Sequence, residues 1–511
     1  MKNKLIYMLI GIMSLGVLSS CSEDALDTIP TDSMSGAGLM ANAKSALVPL
    51  NGIYRSMYTA GWSTTGNTHQ CFGISAYNLM GDVMGEDMIM SASGSGWFWY
   101  DAIYNVKGKY ESKTWRSYDL WNAYYKWIAN ANYIIAAEET MEGTPSEVNY
   151  IIGQAYAIRA YSYFMLAQTF ARTYKGHESE PCCPIYTEPT VAGTAGKPRE
   201  TVQKVYERVT IDINKATELL NGTTRQHVSH ISYAVASGIK ARIALVMEDW
   251  KTAKTAAVEA INKSGADILA VGDFAGVNDV SKGNVMWGAE IIADQSGMYA
   301  GFFTHMDHSA NYYGTSALKQ INKELYVKMG VNDDRRDWWN PDEPLNKAGG
   351  YQQEKFKFRD LSTWLGDYIW MRVEEMYLTA AEAACQSDDD ITAKKYLTAL
   401  MNERDADYTT AKTGKDLTVL TSGETGSLLE EILIQRRIEL WGEYGRIYDI
   451  RRLKQGFRRT TDMGWPTSAL LSNRPTDNPE SYMWVLTIPQ TEFDGNENMD
   501  GTTDQNPTDD I

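Results

Sequence analysis

The apolar positions of this chain fall into two regimes. In the first they recur every three or four residues, the period of a helix with one buried face. Stretches of this kind run over 41–58, 115–139, 147–174 and 201–220. Two more stretches are paired helices, Ser229–Asn262 and Arg372–Asp405, with small residues where the helices would cross: Ala241, Ala244, Ala253 and Ala257 in the first pair. The second pair repeats the first at an offset of 140, so that Ala241 matches Ala381 and Thr252-Ala253-Lys254 recurs as Thr392-Ala393-Lys394. A final helix starts at Leu428, with Leu429, Ile432, Leu433, Leu440, Tyr444 and Ile447 broadly on one face. Gly442 and Gly445 mark where it bends or stops. Its charges stand at i,i+3 spacing (Arg436/Glu439, Glu443/Arg446, Arg446/Asp449, Asp449/Arg452), which predicts pairing along the helix in a structural ion lattice.

In the second regime the period disappears. Residues 61–113 and 266–370 are irregular, rich in Gly and Ser, and studded with rings: Trp62, Trp97, Phe98, Trp99, Tyr100 and Tyr104 in one; Tyr299, Phe302, Phe303, His305, Tyr312, Tyr313, Trp338, Trp339 and Trp364 in the other. Loops of this length inside a packed domain are usually functional. The repeated hairpins with small crossing residues resemble tetratricopeptide units. The expected fold is mostly α, a tetratricopeptide-like helical-hairpin scaffold carrying long irregular loop insertions.

Charge narrows the partners. The formal net charge is −17, and removing residues 1–20, which carry Lys2 and Lys4, would leave −19. Such a surface disfavours nucleic acid and anionic headgroups. Tyr (31) and Trp (15) far outnumber Phe (11). These rings offer an apolar face and a hydrogen-bonding tip, which suits a binding protein and also suits buried helix packing. Of five cysteines, Cys71, Cys182, Cys183 and Cys385 lack metal-ligand spacing and are expected to be free buried thiols.

The fifth, Cys21, closes a targeting pattern. Lys2 and Lys4 precede an apolar run, Leu5–Leu18, that is too short and too early for a typical membrane span. Leu18-Ser19-Ser20-Cys21 resembles a bacterial lipobox, which implies cleavage after residue 20 and acylation of Cys21, with palmitate among the acyl groups. Ser22–Asp27 resembles the acidic tag that sends lipoproteins to the outer face of the cell, and a polar tether follows.

Several further segments carry one resemblance. Glu439-Leu440, Glu443, Arg446, Tyr448-Asp449 and Arg451-Arg452 look like the signature near the C-terminus of the SusD/RagB family of outer-membrane nutrient-binding lipoproteins. The family has Gly directly after the second glutamate; here Tyr444 holds that place and Gly445 follows. Arg159–Phe164 (RAYSYF) resembles the family's N-terminal helix, Asp333–Asp337 its D-x-R segment, and Ile488–Glu492 through Gln505-Asn506-Pro507 its closing segment. The resemblance implies a SusD-like α-α fold and four parts: a signal peptide (1–20), acylated Cys21 and tether (21–40), an N-terminal part with helical repeats and aromatic loop (41–265), and a C-terminal part (266–511). It implies capture of a nutrient, most often an oligosaccharide or polysaccharide, at the surface of the outer membrane. The implied partner is a TonB-dependent, SusC-like transporter, and no cofactor is implied.

The residues themselves suggest binding rather than turnover. No Walker loop, G-x-S-x-G elbow or H-E-x-x-H occurs. Asp494, Asn496, Asn498 and Asp500 take the odd positions of a calcium loop, but Met499 replaces its Gly and Gln505 its bidentate Glu, so no metal site is expected. A sugar shows an apolar C–H face and a hydroxyl rim, matched by an aromatic ring flanked by amides or carboxylates. Trp97, Trp99 and Tyr100, with Asp101 and Asn105 nearby, fit one such platform; Tyr299, Phe302, Trp338 and Trp339 fit another. The alternative for each ring is loop-packing core. Two other roles stay open: a surface glycan-degrading enzyme, and a structural scaffold of an outer-membrane complex that binds no ligand.

Overall fold

The computed structural model describes residues 36–60, 67–90, 97–105, 115–191, 193–274, 276–297, 299–341 and 351–508. Cys21, residues 1–20, most of the tether and Trp62 lie outside the described residues. Among the described residues the helices of seven residues or more are α1 (Ala43–Ser56), α2 (Ile74–Met84), α3 (Trp115–Ile135), α4 (Pro145–Phe170), α5 (Val202–Leu220), α6 (Tyr233–Val246), α7 (Trp250–Ser264), α8 (Val373–Gln386), α9 (Asp390–Met401), α10 (Leu428–Glu439) and α11 (Arg446–Arg452). All but α2 lie, to within two residues, inside stretches where the helical period predicts them.

Their starts are written in the sequence as capping residues. Thr144 and Glu147 form a reciprocal capping box on α4, and Thr201 and Ser232 cap α5 and α6. The internal repeat extends into the turns. Asp249 caps α7 through the Thr252 amide at 3.1 Å, and Asp389 caps α9 through the Thr392 amide at 3.1 Å. The residue before each cap, Glu248 and Asp388, is left-handed (φ 58° and 60°). The cap amides donate to Ala244 and Ala384 respectively. Hairpin α6/α7 packs on hairpin α8/α9 through α7 and α8, with Ala253, Ala257, Ala381 and Ala393 fully buried between helices. This is the helical-hairpin scaffold that the spacing predicts.

Helix α2 shows why the loop assignment of 61–113 needs correcting. All eleven of its residues are buried. A helix buried on every side has no polar face, so its sequence shows no period. It also passes so close to the α10–α11 turn that a Cβ on Gly81 would lie 3.0 Å from the Gly445 Cα. The 266–370 segment likewise holds short strands. Lys319–Ile321 (β3) pairs antiparallel with Met88–Met90 (β1), and Gln352–Gln353 (β5) bridges β3 to Trp339–Asn340 (β4). Val285–Ala289 (β2) pairs with Tyr368–Arg372 (β6). One hydrophobic cluster runs through both halves of the chain, and a second lies under α8, α9 and α10.

Three arginines from distant segments meet at the end of α10. Glu439, fully buried, accepts from Arg404 Nε at 2.9 Å, Arg372 Nη1 at 3.1 Å and Arg335 Nη1 at 3.3 Å. Glu443 takes Arg372 and Lys355, each at 2.6 Å. Arg437 and Arg446 reach back to Glu86 and Asp87 after α2. Asp449 takes Arg436 and Arg452, each at 2.8 Å. Of the four expected i,i+3 pairs, only Asp449–Arg452 forms among the described residues. Gly442 (φ 81°) and Gly445 (φ 102°) turn the chain between α10 and α11, so Glu439, Glu443 and Arg446 share no helix face. The lattice is structural, as expected, but it ties segments far apart in sequence.

The four described cysteines, Cys71, Cys182, Cys183 and Cys385, are buried. The tail residues that mimic a calcium loop serve as clamps. The Asn496 and Asn498 side-chain amides donate to the Lys197 and Gly196 carbonyls, and the Asp500 carboxylate accepts the Thr502 amide.

Candidate ligand-binding surface

The two irregular segments converge. Residues 97–105 are held by a buried ion pair: Arg116 on α3 donates to both Asp101 oxygens at 3.0 and 2.9 Å and to the Gln70 carbonyl at 3.0 Å. Gln70 in turn accepts the Phe98 amide at 2.6 Å. Phe98 is left-handed (φ 66°) and fully buried, so the chain reverses there and leaves Trp97 half-exposed.

From the other segment, His305 lies beneath. Its Nε2 donates to the His69 carbonyl at 2.7 Å, and its ring stacks on Phe72. Burial, with Lys319 nearby, holds its pKa well below the ordinary histidine value, so it is neutral. Tyr313 then stacks on Trp97, ring centroids 3.8 Å apart, and hydrogen-bonds His69 Nδ1 through its hydroxyl.

The rings continue as a strip. His69 lies 5.5 Å from Trp97 and 5.8 Å from Tyr299; Tyr299 lies 6.0 Å from Tyr312, and Tyr312 lies 4.8 Å from Trp364. Tyr299 is 49% exposed, far more than a packing tyrosine needs. The strip leads to a surface cleft of about 190 Å³ lined by Arg55, Tyr58, Gln295, Phe358, Trp364 and Tyr368 among others. Trp364 is fixed by a turn in which the Asp360 carboxylate accepts from Ser362 and Thr363. A concave surface with aromatic walls and a few polar groups is the usual form of a small-ligand site.

The structure therefore sorts the sequence candidates. Trp97 and Tyr299, expected on separate platforms, lie on one strip. Trp99 (4% exposed), Phe302 (7%), Trp338 (5%) and Trp339 (2%) belong to the core. Phe302 meets Phe356 edge-on, and Trp339 meets Trp441 the same way. Trp338 lies against Phe274, with the Lys355 ammonium 4.5 Å from its ring. All four are packed within the core and lie off the strip. Tyr100 is exposed and Asn105 half-buried, and among the described residues Tyr100 makes no ring contact with the strip. His69, Tyr313, Tyr312 and Trp364 complete the strip and were not among the candidates. His69 carries no signal in the sequence. The other three lie in the segment already singled out for its rings.

Known proteins share the fold. A family model described as starch-binding and associating with the outer membrane matches residues 72–245, and the SusD family model matches 303–508. A SusD-like protein of Formosa agariphila is 26% identical over 250 residues, 48% of this chain; the match spans 43% of that relative's length. The crystal structure of a SusD-like carbohydrate-binding protein from Bacteroides vulgatus superposes with a TM-score of 0.76 at 26% identity, covering 90% of this chain and 97% of that one. Surface glycan-binding protein A of Bacteroides thetaiotaomicron, solved with laminarihexaose, has the same fold (TM-score 0.67, 17% identity, 91% and 99% covered). Among the described residues no helix is long and apolar enough to cross a membrane. Two matched models in chain order, a common fold over nine-tenths of the chain, and the Glu439–Arg452 signature at the centre of its ion lattice make this chain a member of the SusD/RagB family.

Proposed function

We propose that this protein captures a glycan at the cell surface on the strip Trp97, Tyr313, His69, Tyr299, Tyr312 and Trp364, without turnover, and delivers it to a TonB-dependent outer-membrane transporter. The observation that carries the reading is the convergence of rings from two distant segments along one partly exposed strip beside a cleft of about 190 Å³. The ring surfaces left open along the strip, that of Tyr299 (49% exposed) above all, would cover the C–H faces of successive sugars. Two related carbohydrate-binding proteins share the fold, one of them solved with laminarihexaose. Acylated Cys21 would hold the protein at the membrane, beside the transporter that receives the glycan. A glycan array probed with the purified protein tests the reading. Binding to a defined set of oligosaccharides, lost on Trp97→Ala and with no cleavage of the bound sugars, supports it. Cleavage products, or hits unchanged by Trp97→Ala and Tyr299→Ala, would overturn it. Affinity capture from gently solubilised native membranes tests the delivery step: one dominant large β-barrel should co-purify, and monomer alone counts against it.

A further inference from the structure

The cleft at the end of the strip has a single charged side chain in its described lining, Arg55. The residue lies in the last turn of α1 and is half-buried. Inward-facing arginines elsewhere have their donors taken, either by acids, as Arg116 by Asp101, Arg159 by Asp212 and Arg242 by Glu375, or by backbone carbonyls, as Arg451 and Arg459. Even Arg359, with a third of its side chain exposed, pairs with Asp367 at 2.5 Å. Arg55 is different. Its guanidinium carbon stands 4.9 Å from the centre of the Tyr58 ring, and among the described residues the guanidinium has no carboxylate partner. A cation–π contact uses the flat face of the guanidinium and leaves the N–H donors at its rim unspent.

A cation in the last turn of a helix is favoured by the helix dipole wherever on that turn it points. That effect does not account for its setting between a tyrosine and an aromatic cleft. The rest of the lining supplies what a sugar ring needs. Trp364 and Phe358 offer flat apolar faces, and Gln295, which accepts the Tyr58 hydroxyl at 3.4 Å, offers an amide. In a chain of net charge −17, an unpaired arginine in such a cleft is a local exception to the prevailing field. Planar guanidinium recognises carboxylate and sulfate through paired, charge-assisted hydrogen bonds.

We propose that this cleft holds an acidic sugar residue, its carboxylate or sulfate against Arg55, at one end of a glycan lying along the ring strip. The inference rests on the strip being the glycan site and adds the class of sugar.

The test is a glycan array of matched pairs probed with the full chain in detergent. Glucuronate-, galacturonate- and sialate-bearing oligosaccharides are set beside their methyl esters, and sulfated ones beside their desulfated forms. At least one acidic member should bind about tenfold or more tighter than its neutral partner; the carboxylate and sulfate arms tell which anion it is. Arg55→Ala should bring the acidic member down to its neutral partner, and Arg55→Lys should restore part of the difference. Neither variant should shift Tm by more than about a degree, because no ion pair is lost. Equal binding of acidic and neutral members, or an acidic preference that survives Arg55→Ala, overturns the inference. If neutral members bind and Trp97→Ala abolishes that binding, the strip stands and only the acidic assignment falls. If Trp97→Ala leaves every hit unchanged, the strip falls and the acidic assignment with it.

Discussion

Replacing Glu439 by Gln probes the ion lattice on which the C-terminal half is assembled. The carboxylate is fully buried and serves three arginines, but it does not serve them equally. Arg335 keeps both oxygens of Asp333 at 3.0 and 2.7 Å, and Arg372 keeps Glu374 and Glu443. Arg404 has its two shortest acid contacts, both 2.9 Å, to Glu439; Glu374 lies at 3.4 Å. The substitution therefore leaves chiefly Arg404 as an under-compensated buried cation, a situation that costs about 3–5 kcal/mol. At ~2.1 cal/mol/K per residue the unfolding entropy of a core this size is on the order of 1 kcal/mol/K, so Tm should fall by about 3–5 °C. Burial alone would raise the Glu439 pKa, but Arg404 and Arg372 hold it well below the usual carboxylate range. Its stabilisation is therefore present above the unfolded-state pKa and lost as pH falls from about 4.5 through the folded value. Wild type and Glu439→Gln should melt far apart at pH 7 and converge in acid. Adding Arg404→Met should recover part of the loss, with about 1 kcal/mol or more of coupling. A melting curve for Glu439→Gln within a degree of wild type, or strict additivity with Arg404→Met, would refute the reasoning.

The remaining predictions concern a buried lysine and the anchor. Lys319 is fully buried and its ammonium donates to the Ala317 carbonyl at 2.8 Å; burial lowers its pKa to about 7. Its folded pKa lies below the unfolded one, so the destabilisation is full below pH 7 and fades as pH rises towards the ordinary 10.5. Lys319→Met should raise Tm at pH 6 and make little difference at pH 10.5, read from paired melting curves. Intact mass of the membrane-extracted protein should show residues 1–20 gone and lipid mass on Cys21. Cys21→Ala should release the protein from the membrane with its Tm unchanged, and an unmodified Cys21 ends that idea.

The scaffold was legible because its helices are half-buried. A helix with one wet face writes a three-to-four-residue period and a capping residue, as α5 and α7 do, and the 140-residue repeat extends as far as the Asp249 and Asp389 caps. Helix α2, buried all round, writes neither. The short strands were missed for a related reason: β3, β5 and β6 are two to five residues long and largely buried on both faces, so no alternation shows. The ion lattice was legible as composition but not as pairing, because Arg335, Arg372 and Arg404 approach Glu439 from separate segments. At the candidate surface, location and residue type singled out Trp97 and Tyr299. Neither could separate them from Trp338 and Trp339, since a tryptophan under an irregular loop and one upon it have the same neighbours in sequence. His69 joins the strip through the Trp97 and Tyr299 rings and the Tyr313 hydroxyl, the last two more than two hundred residues away in the chain.

The contrast between Trp97 and Trp339 tests the central claim most directly, by calorimetric titration with the array-identified glycan and a melting curve on each alanine variant. A desolvated aromatic at a binding centre carries roughly 2 kcal/mol or more. Trp97→Ala should therefore weaken affinity on the order of thirtyfold or more and leave Tm nearly unchanged. Trp339→Ala, emptying a core position 2% exposed, should lower stability by about 3–5 kcal/mol and bind the glycan as wild type does wherever it remains folded. Wild-type affinity in Trp97→Ala, with affinity lost in a still-folded Trp339→Ala, would contradict the account.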